Sequence, residues 1–205
     1  MTRLWRMGAL GVLMVSLTLA RCAAPSHATG TPTSVLAMLP ATKVIVFHPA
    51  GTGGAAVSGS CAMGESLALN RTDAWRCIVG NEIYDPCFSA VPHATSVICG
   101  ATPAKPIGIK VRLSKALPTH APVRSTQPWI LGIGDGSLCT MDTGATFGVK
   151  GQRANYACSD QDWVIGYPTT GRVWYAVKAS LSSKASPTGP MPSHLFAVSV
   201  ATVWE

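Results

Sequence analysis

Three carboxylates, Asp73, Glu82 and Asp85, lie close together in the segment Cys61–Cys99. Two of them at the right separation would supply the acid and the nucleophile or base of glycoside hydrolysis. Structural roles compete for the same residues and are the ones expected here. Asp73 sits beside an expected helix start, where the helix dipole favours a negative charge, and Asp85 precedes Pro86 in a common turn pair. His48, His93, His120 and His194 fall in loop-like stretches with no spacing to a nucleophile, and no serine occupies a G-x-S-x-G elbow. Asp160 and Asp162 alternate as in calcium loops. The glycine and the distal glutamate of such loops are missing, so a solvated turn is expected.

The aromatic residues offer a binding chemistry. Trp163, Tyr167, Trp174 and Tyr175 cluster in the C-terminal half. Trp174 and Tyr175 are neighbours on one expected strand, so their side chains leave opposite faces, one into the core and one toward solvent. An exposed ring could stack on a sugar or a peptide; core filling is the competing role.

These residues need positioning, and the cysteines say how. Setting aside Cys22, six remain: Cys61, Cys77, Cys87, Cys99, Cys139 and Cys158. In an exported domain they read as a disulfide framework, for which 15 connectivities are possible. Local pairing (Cys61–Cys77, Cys87–Cys99, Cys139–Cys158) is favoured because short loops close most readily. No pair has C-x-x-C spacing, and neither a metal nor a cofactor is expected.

Residues 1–28 read as a signal peptide. Arg3 and Arg6 precede the uncharged apolar run Met7–Ala20, which is too short to span a bilayer comfortably, and small residues follow. LARC, ending at Cys22, loosely resembles a lipoprotein signal but departs from it at Arg21. Cleavage after Ala20, Ala24 or Ala28 is the preferred reading over lipidation at Cys22. No later stretch is long and apolar enough for a transmembrane helix. The chain carries 16 Lys+Arg against 9 Asp+Glu; without Arg3, Arg6 and Arg21 that is 13 against 9, about +4. This modest, unclustered charge gives no footprint for nucleic acid.

Residues 29–58, rich in Pro, Gly, Ser and Thr, read as a spacer. The Gly51–Gly54 run lacks the lysine and helix of a phosphate loop. Residues 59–205 then form one mainly β domain, an antiparallel barrel or sandwich of roughly seven strands, with a short helix near 72–77. Its turns are expected at Gly80-Asn81, Asp85-Pro86, Asp135-Gly136 and Lys150-Gly151, with loops at 115–128 and 182–193. IGIKVRL (107–113) alternates as a half-buried strand does.

The order AWRCIVGNEIYDPCF, then GDGSLCTMDTGATFGVKGQRANYACSDQDWVIG, then a late VW and a terminal apolar strand resembles a group of exported bacterial proteins. The likeness covers about residues 59–205. It implies export and a domain boundary, attaches no activity and designates no catalytic residue.

These observations favour an exported, non-catalytic envelope or extracellular module that binds a wall polymer, glycan or protein. The alternatives are a small hydrolase using Asp73, Glu82 or Asp85, and a protease inhibitor presenting loop 115–128. Oligomeric state is not legible.

Overall fold

The computed structural model describes residues 39–62, 66–119, 127–186 and 189–205, so the leader and Cys22 lie outside it. Every regular element is a strand. In chain order they are β1 (Lys43–Ile45), β2 (Gly51–Gly59), β3 (Ala74–Val79), β4 (Glu82–Phe88), β5 (Ser96–Cys99), β6 (Ile107–Leu113), β7 (Ile130–Ile133), β8 (Leu138–Met141), β9 (Gly148–Val149), β10 (Gln152–Cys158), β11 (Trp163–Thr169), β12 (Trp174–Ser186) and β13 (Gly189–Trp204).

The strands form two lobes. The first is a five-stranded sheet in the order β2-β6-β5-β4-β3, with β2 parallel to β6 and the rest antiparallel. Ser60, directly after β2, bridges Ile78 on β3, so the two edges of this sheet meet at one end. Gly59 permits that approach: a Cβ there would lie 2.6 Å from Val111 Cγ1 and 2.8 Å from the Ile78 carbonyl. The interior holds Cys61, Trp75, Cys77, Cys87, Val97, Cys99, Val111 and Leu117. The alternation read in 107–113 is what aims Ile109, Val111 and Leu113 at this interior.

The second lobe is a closed antiparallel barrel running β7-β8-β10-β11-β12-β13, with β13 pairing back to β7. Tyr156, Val164, Leu131, Val200 and Val203 fill it. The β9–β10 connection is the two-residue Lys150-Gly151 turn, in which both residues have positive φ (49° and 79°), the geometry that suits strand twist. β1 joins this lobe as a parallel partner of β13. Phe47, Phe88 and Trp129 meet between the lobes with ring centroids 5.4–5.9 Å apart, backed by Leu69, Ile130, Met141 and Trp204.

Three disulfides close as local pairs: Cys61–Cys77, Cys87–Cys99 and Cys139–Cys158. The last two join residues directly opposite on neighbouring strands. Such bridges point to an oxidising, non-cytoplasmic compartment. Among the described residues, no helix is long and apolar enough to cross a membrane.

Four expectations need correction. The helix near 72–77 is absent; Ala74–Val79 is strand β3, because Trp75 and Cys77 must enter the same interior, which is the period of a strand. The spacer proposed for 29–58 contributes β1 and β2. Asp85-Pro86 is no turn but an interruption within β4. Much of the loop expected at 182–193 belongs to the long β12–β13 ribbon.

Candidate functional site

The structure gives the three sequence-selected carboxylates separate partners. Arg71 grips Asp73 with two bonds (Nε to Oδ1 2.9 Å, Nη2 to Oδ2 2.6 Å), donates to the Phe47 and Glu205 carbonyls and lies over the Phe88 ring. Asp73 is thus part of a brace across the lobe junction. Glu82 accepts the Tyr84 hydroxyl at 2.6 Å, and that bond is the main cause of a raised Tyr84 pKa. Asp85 accepts the Ser66 hydroxyl on Oδ1 and the Leu67 N–H on Oδ2 at 3.0 Å. Burial pushes its carboxyl above the ordinary range, outweighing the lowering by Ser66, Leu67 and the nearby Arg76 charge. Asp73 and Asp85 line different concavities.

Among the described residues, the histidine contacts are structural. His93 contacts the Leu117 carbonyl at 3.1 Å and Thr119 Oγ1 at 3.3 Å. His48 lies 3.5 Å from Arg71, at the rim of a 470 Å³ cavity with Arg71, Leu69 and Glu205, and His194 stacks on Phe196. His120 lies outside the described residues, as does part of loop 115–128, whose Leu117 is buried in the first lobe. Cys77, Cys87 and Cys99 bring their sulfurs within 4.8 Å of one another, but all three are committed to disulfides.

The four aromatic candidates do not assemble into one platform. Trp163 packs edge-on against Phe147 at 5.1 Å, and Trp174 packs against the barrel core. The Tyr175 hydroxyl is buried without a hydrogen-bond partner, while Tyr167 is half exposed.

Asp160 and Asp162 have a partner that sequence reasoning missed. Lys178 on β12 is 1% exposed, yet its ammonium contacts Asp135 at 2.8 Å, Asp160, Asp162 at 3.5 Å and Ser137 Oγ at 3.2 Å. Burial alone would push Lys178 down; the bonds from Asp135 and Asp160 outweigh it and hold the pKa above its usual value. Asp135 is correspondingly lowered to about 2 by its bonds from Lys178 and Ser137. A lysine held charged in this way cannot serve Ser137 as a base, so the cluster ties the β7–β8 and β10–β11 turns to β12. The signal was available: in WYAVKASL, Lys178 shares the strand parity of Trp174 and Ala176, both of which face the core.

The concavity with the most ligand-like chemistry is a cleft of about 400 Å³ where the lobes meet, lined by Arg76, Ile83 and Asp85 from one and Thr140, Asp142 and Thr143 from the other. Its geometry follows from the register. Trp75 pairs with Cys87 and Cys77 with Tyr84, leaving Arg76 alone opposite two residues, Asp85 and Pro86. This is a β-bulge, a device that re-aims side chains. Trp75 and Cys77 point into the first lobe, so Arg76 points the other way, toward β8 of the barrel. Its Nε is buried with no hydrogen-bond partner. On the facing wall, Asp142 Oδ1 accepts the Gly144 N–H at 2.7 Å, and Arg153 donates to the carbonyls of Asp142 and Gly144, fixing that loop. Of the residues here, the sequence singles out Asp85 as a candidate carboxylate and Arg76 as a possible ion-pair partner for Asp73, Glu82 or Asp85. Comparison with family models, with curated proteins and with solved structures found no match to this chain.

Proposed function

We propose that this chain is an exported, non-catalytic binding module of the cell envelope or extracellular space, and that the cleft between its lobes is the ligand seat. The observation that carries this reading is the Arg76 guanidinium, which lines a concavity of ligand size and whose Nε is buried without a hydrogen-bond partner. The residues set against it, Asp73 and Glu82, are committed to Arg71 and Tyr84, which leaves the glycosidase pairing first read from the sequence without a second member. Export is supported by the leader and by three disulfides.

One observation favours a second reading. Asp85, its carboxyl pushed above the ordinary range by burial, shares the cleft with Asp142, and two carboxyl groups in one cleft are the equipment of a glycoside hydrolase. Co-sedimentation of the oxidised protein with isolated bacterial cell walls, with the supernatant assayed for released sugars and peptides, separates the two. Binding without release, lost in Arg76→Gln, supports the module. Release that disappears in both Asp85→Asn and Asp142→Asn would establish the hydrolase instead. No sedimentation at all would refute the wall as ligand.

A further inference from the structure

We infer that the cleft between the lobes takes a short peptide by its free termini, with the terminal carboxylate seated on Arg76 and the ammonium facing Asp142. This rests on the binding reading above and names the ligand class. The charge inventory of the cleft drives it: the Arg76 guanidinium and Asp85 from one lobe, and the Asp142 carboxylate from the other. Asp85 has both oxygens engaged by its own Ser66–Leu67 loop, and burial pushes its carboxyl above the ordinary range, which weakens its claim on the guanidinium. A carboxylate can therefore pair with the Arg76 guanidinium where it lines the cleft. A doubly charged phosphate fits less well, because a single guanidinium would have to offset it beside Asp142.

The opposite wall answers the other end of a zwitterion. Asp142 is held in place by Gly144 and by the two backbone bonds from Arg153. Ile83, Met141 and Ala157 give the cleft an apolar lining, and Thr140 and Thr143 line it too. The cleft, about 400 Å³, stands at the small end of the range for ligand cavities, which suits a few residues and not a folded partner.

The test uses tri-alanine with free termini, titrated into the oxidised protein and followed by calorimetry and by amide chemical shifts. Saturable binding is expected, with at least a tenfold loss when the peptide carries a C-terminal amide and a similar loss in Arg76→Gln. Arg76→Lys, which keeps the charge but not the fork, should fall between. N-acetylation should weaken binding to the native protein and make no further difference in Asp142→Asn. That last comparison decides the matter even if Arg76→Gln fails to fold, which urea unfolding would reveal. The inference is overturned if the amidated peptide binds as well as the free acid, or if Arg76→Gln binds normally. It is also overturned if tri-alanine does not bind at about 20 mM, far above any useful affinity. Should that happen while wall binding persists and still depends on Arg76, the peptide inference alone falls; loss of wall binding as well would sink the module reading too.

Discussion

Replacing Lys178 by methionine should expose how much the barrel depends on one internal cation. Removing one partner of a buried ion pair costs about 3–5 kcal/mol, because the remaining charge is stranded. Here the stranded groups are three, but they are not sealed in: the side chains of Asp135, Asp160 and Asp162 are 44%, 41% and 20% exposed. Water and salt can screen much of their mutual repulsion, which brings the expected loss down to about 2–3 kcal/mol at pH 7. Urea unfolding of the oxidised proteins, with an unchanged slope, measures it. The pH dependence supplies the sharper test. Asp135 is depressed from 3.8 to about 2, so its contribution is present above about pH 4 and is lost as the pH falls toward 2. In Lys178→Met that loss disappears, and protonation instead relieves the repulsion, so the gap between the two proteins should shrink from pH 4 to pH 2. Adding Asp135→Asn and Asp160→Asn to the methionine variant should recover most of the stability. Parallel pH curves, or a loss below about 0.5 kcal/mol, would refute the assignment of Lys178 as the charged centre of this cluster.

The other predictions concern single contacts. For Asp85, a raised folded-state pKa means a contribution fully present below its ordinary value and lost as pH rises through the folded value; Asp85→Asn should therefore cost less than about 1 kcal/mol at pH 7 and more at pH 4, by urea unfolding at both. Asp85→Ala, which also abandons the Ser66 and Leu67 bonds, should cost about 1–2 kcal/mol more than Asp85→Asn at each pH, with the same pH trend. Gly59→Ala should destabilise by about 1–3 kcal/mol, since its methyl would meet Val111 and the Ile78 carbonyl; a thermal midpoint equal to that of the native protein would contradict the closure of the first sheet at Ser60–Ile78. Replacing Cys139 and Cys158 together by alanine opens a loop of sequence separation 19 and should cost about 3 kcal/mol on chain-entropy grounds, read as a lowered urea midpoint.

What the sequence showed was local. Gly80-Asn81, Asp135-Gly136 and Lys150-Gly151 mark hairpins because their backbone conformations are decided by the turn residues themselves, and the short cysteine spacings match strands that are adjacent in the chain. What it hid was held by distant partners. GTGGAAVSG has no alternating apolar face and becomes β2 only because β6 lies alongside it in parallel. AWRCIV looked helical beside Thr72, yet the bonds of Cys77 and Trp75 to the first lobe's interior override local preference. Arg76 and Asp142 face one cleft although the whole of β4–β8 separates them, a meeting no spacing rule anticipates.

Each disulfide begins and ends within one lobe; none of the three crosses the junction. Beyond the connecting chain, the Phe47–Phe88–Trp129 contact and the Arg71 brace join the lobes, both of them non-covalent. Oxidation therefore hardens each half without fixing the angle between them, and the seam is the place for a sub-global opening. A ligand that bridges the two walls of the cleft would close that seam from outside, and its binding would register as slowed exchange at residues it never touches.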